Sequence, residues 1–356
     1  RVDPSPNRST LLRTDLGFKR IATEEAFATK DLIRAYRELL ARKGSNDIGF
    51  NSLMGYYLEN PSERTRLVSE RLQDLGPRRI DDMNATGIDL QILSLTSPGV
   101  QIFDAATGTA LARASNDELA AAIAAHPMRY AGLAAIAPQN PAAAAKELER
   151  GIRTLGLKGA IVNSHTQGEY LDDEKFWEIF AAAEALDVPV YIHPNTPSND
   201  MIKPFMARGL DGAVFGFAVE TGLHALRLVV SGVFDRFPRL KIVLGHLGEG
   251  LPYWLFRIDF MHGGSVRSGR YASQPKLAKK ASDYLRENFY YTTSGMAWTP
   301  PIRYVQDVMG VDRLMYAMDY PYQFVPEEVN VTDELRLSYE DHKAFYQTNA
   351  ERVFKL

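Results

Sequence analysis

Cysteine is absent from the 356 residues. That excludes disulfide frameworks, thiolate nucleophiles, iron–sulfur clusters and cysteine-based zinc sites together. No apolar run reaches the roughly 18 residues of a membrane span. The opening stretch, residues 1–10, is polar and carries Pro4 and Pro6 without an apolar segment. It reads as a polar N-terminal arm over residues 1–17 and not as a secretory leader. With the missing cysteines, this gives an expectation of a cytoplasmic protein. Charge of one sign is not in surplus either: Lys+Arg 41 against Asp+Glu 44 leaves a net −3. Beyond the stretch Lys276 to Lys280 there is no basic stripe, so a nucleic-acid partner is not expected. Histidine is scarce at seven, and any metal site must be built from these and from carboxylates.

What is present is an alternation of short apolar runs with amphipathic segments. Strands are predicted at residues 20–23, 89–95, 130–136, 159–163, 188–192, 241–244, 288–292 and 314–317, with helical patterns such as 173–186 and 222–237 between them. Strand–helix alternation at this spacing argues parallel β/α units. About eight of them closed in a ring make a (β/α)8 TIM-type barrel. Length alone suggests two domains, but no second apolar core is visible. The reading is one barrel domain over residues 18–356, with a helical insertion after the first strand at about 30–75. The irregular stretch 194–216 reads as a long loop following a strand.

In such a barrel, polar residues at the carboxyl ends of strands face the site. Four predicted strands run into them: Thr23-Glu24-Glu25-Ala26, Ile192-His193-Pro194, Gly245-His246-Leu247-Gly248-Glu249 and Met318-Asp319-Tyr320-Pro321. Taken singly, each is ordinarily a satisfied polar residue at a strand end. Converging from different strands, carboxylates and imidazoles suit a divalent ion.

These segments, with Asn163-Ser164-His165-Thr166-Gln167-Gly168 and Pro252-Tyr253-Trp254-Leu255, resemble the amidohydrolase-type decarboxylases, which act without oxidation on hydroxylated benzoates. The likeness runs from about Phe18 to Leu356 and is strongest to members acting on 5-carboxyvanillate. The resemblance implies metal ligands at Glu24, His193 and Asp319, with His246 and Glu249 as a hydrogen-bonded pair in the active site. It implies a substrate-carboxylate clamp from Arg64 and Arg257, the latter able to come from a neighbouring subunit. It also implies a homodimer or homotetramer and a manganese or zinc ion. Many family members open with His-x-His, whose imidazoles share a face because strand side chains alternate. Here the pair is Glu24 and Ala26. More oxygen and less nitrogen shifts the expectation from zinc toward Mn²⁺. Glu25, pointing oppositely, is expected to be structural.

The chemistry expected is protonation of the ring carbon bearing the carboxylate by Asp319. A metal on the neighbouring phenolate fixes the ring, and His246 is oriented by Glu249. His165 and Tyr322 are expected to line the pocket, alongside Tyr56, Tyr57, Tyr320 and Trp298 as candidate walls. His224 is expected in packing, His126 and His342 in solvent, and His262 is ambiguous. For each arginine the bland alternative is a surface ion pair. The rival activity is a metal-dependent hydrolase of lactones or amides on the same barrel. The two candidate arginines and the Glu-x-Ala opening favour decarboxylation.

Overall fold

The computed structural model describes residues 13–59 and 62–356. Most of the expected polar arm, residues 1–12, therefore lies outside the described residues. Arg13, which begins them, is not a free tail: its guanidinium lies 3.7 Å from the Asp333 carboxylate.

In chain order, β1 (Ile21–Phe27) leads into α1 (Lys30–Ala41), α2 (Ile48–Leu58), α3 (Glu63–Leu72) and α4 (Pro77–Thr86). Then come β2 (Leu90–Leu95), α5 (Ala105–Ala125), β3 (Tyr130–Gly132), β4 (Ala134–Ala135), α6 (Pro141–Arg153), β5 (Ala160–Asn163) and α7 (Trp177–Leu186). β6 (Val190–His193) is followed by α8 (Ile202–Met206), α9 (Gly216–Val230) and α10 (Val233–Arg236). After β7 (Ile242–Leu244) lie α11 (Leu251–Ser268), α12 (Ala281–Glu287), β8 (Phe289–Thr292), α13 (Thr299–Met309) and β9 (Leu314–Met315). Three short helices, α14 (Glu328–Asp333), α15 (Tyr339–Lys343) and α16 (Asn349–Phe354), close the chain. Among the described residues no helix is long and apolar enough to cross a membrane.

All strand pairings are parallel, in the orders β1-β2-β3 and β4-β5-β6-β7-β8-β9. β3 and β4 are halves of one bent strand. Leu133 between them donates its N–H to Leu93 O at 2.9 Å, and Ala134 donates to Gly159 O at 2.7 Å. The bend lies next to Gly132, where a Cβ would stand 2.6 Å from Leu119 of α5. The other seam joins the last strand to the first: Thr23 N–H reaches Tyr316 O at 3.0 Å and Ala26 N–H reaches Tyr320 O at 2.7 Å. Eight parallel strands thus close into a barrel. Their side chains are buried on both faces, as β1 and β5 are throughout, which is why the strand runs read as nearly unbroken apolar stretches.

Two strand ends differ from the sequence expectation for physical reasons. β1 continues to Phe27, carried by pairings Glu25↔Leu93, Ala26↔Ser94 and Phe27↔Leu95 beyond a register irregularity. β9 stops at Met315 because the following backbone bonds to a side chain instead of a strand. Met318 and Tyr320 donate their N–H groups to the two oxygens of Glu25, each at 2.9 Å. Glu25 is thus a bracket across the seam. Burial lifts its carboxyl to about 8 against those two hydrogen bonds.

The insertion after β1 is three helices. α1 starts at Thr29, whose hydroxyl accepts Leu32 N–H at 3.0 Å, a cap worth about 1 kcal/mol. It buries Leu32, Ile33, Tyr36, Leu39 and Leu40, spacings of one helical face. α2 and α3 come to lie over the carboxyl ends of the strands, where barrel sites are built.

Candidate active site

Four side chains converge at that end of the barrel. Glu24 comes from β1, His193 ends β6, His246 follows β7 and Asp319 follows β9. The Glu24 Oε1 atom lies 3.1 Å from His193 Nε2 and 3.7 Å from His246 Nε2, and His246 Nε2 lies 3.5 Å from Asp319 Oδ2. His193 is oriented by its own chain, Nδ1 lying 2.9 Å from Pro194 O, which turns Nε2 to the cluster. His246 is oriented by Glu249, which accepts its Nδ1–H at 2.7 Å.

Local backbone conformation sets this geometry. From His246 to Gly250 every residue has positive φ, 52°, 57°, 86°, 55° and 82° in turn. A left-handed turn of this kind costs non-glycine residues on the order of 1–2 kcal/mol each and belongs where the surrounding structure enforces it. Asp319 is also left-handed, with φ 74°. Gly245 opens the turn. A Cβ on it would stand 2.1 Å from Glu24 Oε2, so only glycine leaves room for the carboxylate.

The group fits a divalent cation. Ligand atoms of Glu24, His246 and Asp319 all lie within 4.8 Å of one another. Glu24 Oε1 is buried yet has no hydrogen-bond partner among the described residues, and an ion would satisfy it. Two carboxylates with imidazole nitrogen are donors for Mn²⁺ or Zn²⁺. The resemblance implies Glu24, His193 and Asp319 as ligands; in the structure His246 stands with Glu24 and Asp319 in the cluster, and His193 Nε2 lies 3.1 Å from Glu24 Oε1.

The charges are strongly unequal. Burial works to raise Glu24, but the adjoining His246 and His193 outweigh it and hold the carboxyl well below the usual range. Asp319 goes the other way: burial, with the charge of Glu24, lifts it above its ordinary value despite His246. Burial works to lower His246, yet Glu249 and Glu24 hold it well above the ordinary imidazole value. Glu249 is raised by its burial, against the pull of His246.

A cavity of about 240 Å³ opens beside the cluster, bordered by His193, His246 and Asp319. Its remaining wall is mostly aromatic and apolar, with Tyr56 and Tyr57 from α2, Phe217 from α9, and Tyr322, and includes polar Ser97 and Gln323. Arg64 of α3 supplies a cation at its rim and donates to Tyr322 O at 3.2 Å. Tyr57 and Tyr322 meet edge to face, centroids 5.8 Å apart.

Four expected site residues are not brought there: Tyr320 is buried with its hydroxyl donating to Asp82 at 2.7 Å, Trp298 is exposed, and His165 and Arg257 also lie elsewhere. His165 does not border this cavity. Its Nε2 is hydrogen-bonded to Thr196 O at 3.0 Å and its Nδ1 accepts Gly168 N–H at 3.0 Å, so both nitrogens serve the loop. It borders a separate hollow with Asp47 and Asp104. Arg257 lies exposed on α11 and away from the cavity of its own chain. His342, expected in solvent, is buried and bonded through Nε2 to Thr332 O at 2.9 Å. His224 is fully buried, as expected of a packing residue.

Sequence reasoning missed the residues that hold Glu24. Tyr191 and Ser294 both donate to Glu24 Oε2, the latter at 2.9 Å. Tyr191 was discoverable: two residues before His193 on one strand, it shares that face by period-2 alternation. Ser294 lies beyond the end of β8 and carries no comparable signal.

The model of the family described as amidohydrolase matches residues 61–356. A gamma-resorcylate decarboxylase from Polaromonas sp. (strain JS666 / ATCC BAA-500) is 38% identical over 294 residues, 80% of this chain and 89% of that protein. The 5-carboxyvanillate decarboxylase of Novosphingobium aromaticivorans DSM 12444, solved with manganese and 4-hydroxy-3-methoxy-5-nitrobenzoic acid, is 52% identical. It superposes with a TM-score of 0.95, covering 98% of this chain and 100% of that one. The corresponding enzyme of Sphingomonas paucimobilis is 41% identical with a TM-score of 0.90, covering 95% and 99%. The chain therefore belongs to the amidohydrolase family, and within it to the decarboxylases.

Proposed function

We propose that this chain removes a carboxyl group from a hydroxylated benzoate without oxidation, with 5-carboxyvanillate as substrate, vanillate and CO₂ as products, and Mn²⁺ as the favoured ion. The observation that carries the reading is the composition of one cavity. Aromatic walls suit a ring, Arg64 suits a carboxylate, and Glu24, His193, His246 and Asp319 converge on one edge.

Glu24, His193 and Asp319 would hold the ion, with His246 beside them. When bound, it supplies Lewis acidity that favours ionisation of a ring hydroxyl. Arg64 binds the carboxylate oxygens and fixes the plane in which CO₂ departs. Tyr57 and Tyr322 confine the ring and exclude water from its faces. Asp319 delivers its proton to the ring carbon bearing the carboxylate, so a C–H bond forms and aromaticity is lost. The C–C bond to the carboxylate then breaks, its electron pair restores the aromatic ring, and CO₂ leaves. Asp319 would take that proton from the substrate or from water on binding, because a carboxyl beside a cation is ordinarily ionised. His246, held by Glu249, stands at the metal edge of the cavity.

A second copy of the chain completes the proposal. Tyr253, Phe256 and Phe260 stand 76%, 84% and 64% exposed along α11, a helical stripe too apolar to face water alone. A homodimer through this face would cover it, and Arg257, beside Phe256, would then be available to the partner's cavity.

The test is to load the protein with Mn²⁺ and follow CO₂ release from a panel of carboxylated phenols. Turnover of 5-carboxyvanillate ahead of the others is expected. Intact phenolic acids together with opening of a lactone would replace this reading by the hydrolase one.

A further inference from the structure

The two oxygens of Glu24 live in different surroundings. Oε2 is fully engaged: it accepts the Tyr191 hydroxyl and the Ser294 hydroxyl, the latter at 2.9 Å. Those donors are themselves held. With the Tyr191 proton on Glu24, the Thr292 hydroxyl donates to Tyr191 Oη at 2.8 Å, and its oxygen lies 3.3 Å from Ser294 Oγ. Ser294 Oγ in turn accepts the backbone N–H of His246 at 2.9 Å. Tyr191, Thr292 and Ser294 are each buried, with at most 1% exposure. On the same side, Gly245 offers Oε2 a niche that a Cβ would fill. Oε1 has no hydrogen-bond partner among the described residues and faces His193 Nε2 at 3.1 Å.

A carboxylate with both oxygens free can grip a cation through both, and one oxygen then occupies a position that a ligand could have used. Hydrogen bonds to one oxygen fix the carboxylate plane and turn the other toward the ion. We propose that Tyr191 and Ser294 are positioning residues that restrict Glu24 to one metal-binding oxygen, Oε1, and so keep a coordination position open for substrate. Ser294 also ties this restraint to the His246 backbone, so the carboxylate and the imidazole are set by one hydroxyl. The inference rests on the metal reading of the proposed function.

The test uses the full-length protein, Mn²⁺ alone, and the variants Tyr191→Phe and Ser294→Ala. Phenylalanine keeps the ring packing and removes only the donor, and unfolding of the metal-free variants reports whether the barrel is intact. Expected for each variant are Mn²⁺ binding weakened by roughly tenfold or more and an altered electron paramagnetic resonance spectrum of the bound ion. In turnover, KM for the aromatic acid should rise more than kcat falls, as a coordination position is lost. Folded variants that bind Mn²⁺ as tightly as wild type with an unchanged spectrum overturn the inference, while decarboxylation by the wild type would still stand. A wild-type chain that binds no Mn²⁺ overturns both.

Discussion

The His246 imidazole and the Glu249 carboxylate, three residues apart, meet at 2.7 Å because the chain between them winds left-handed. In a right-handed turn the same residues would sit on a helix surface. Here the turn folds under the ring, and Glu249, only 8% exposed, holds it from beneath.

Gly248 is the hinge of that turn. Its φ is +86°, and a Cβ would stand 2.9 Å from both Pro252 and Tyr291. Gly248→Ala is expected to cost at least about 1–2 kcal/mol for the left-handed backbone, lowering the melting temperature by roughly 2 °C or more. It should also lower kcat, because His246 moves with the turn. Thermal unfolding and steady-state kinetics both at wild-type values would remove the turn from this role.

Gly245 makes a different prediction, since the obstruction would fall on Glu24 and not on the fold. Gly245→Ala places a Cβ 2.1 Å from Glu24 Oε2 and 2.6 Å from Ser294 Oγ. The carboxylate must swing away, and metal content should fall well below one ion per chain. Full metal occupancy with native turnover would show that the carboxylate is free to rearrange.

Much of this was legible in the sequence, and the limits have physical causes. Glu24, His193, His246 and Asp319 could be named because barrel strands end at the site, so a polar residue closing an apolar run is informative. His165 obeys the same rule yet is used by loop backbone, Thr196 O and Gly168 N. No periodicity separates a strand-end histidine that faces substrate from one that ties a loop. β9 ends earlier than expected because Glu25, a side chain, replaces strand backbone at the seam, and β1 runs on because it pairs with β2 as far as Phe27. His342 looked solvated among its charged neighbours, but its ring packs on Tyr346 at 5.2 Å, a contact made by tertiary folding.

Asp319→Asn separates proton delivery from metal binding. The amide oxygen remains a ligand, so metal content should be largely kept while CO₂ release falls by roughly 10²–10⁴-fold, the usual worth of a positioned acid. Turnover close to wild type with metal bound would remove Asp319 from ring protonation.

His224 carries a pH signature unrelated to the site. It is fully buried, and Leu171 N–H donates to its Nε2 at 3.1 Å while Nδ1 lies 3.2 Å from Ser164 Oγ. Burial, with the nearby His165 and Arg227, lowers it from 6.5 to about 3. Between those values the unfolded chain binds a proton that the folded chain refuses, so stability falls as pH drops through that window. The loss is about 1.4 kcal/mol per pH unit at most. Urea unfolding between about pH 5 and pH 7.5 should show a shallower pH slope for His224→Gln than for wild type. Equal slopes would mean that the folded protein accommodates the imidazolium.

The exposed position of Arg257 leads to a test of where it acts. If it serves the cavity of a second copy, Arg257→Ala and Asp319→Asn chains are each inactive alone but complement each other when mixed. In a mixed dimer, the Arg257→Ala chain keeps Asp319 and receives Arg257 from its partner, giving one complete site. Random reassortment makes half the dimers mixed, so activity should recover to roughly a quarter of the wild-type level for a two-fold assembly. If Arg257 instead acted in its own chain, every site in the mixture would lack one of the two residues, and no activity would return. Phe256→Glu provides the matching control on assembly. A charge on the most exposed residue of the α11 stripe, 84% exposed, should leave the chain folded, shift it toward monomer on a sizing column and abolish the complementation. A variant that stays dimeric and still complements would place the interface elsewhere on the surface.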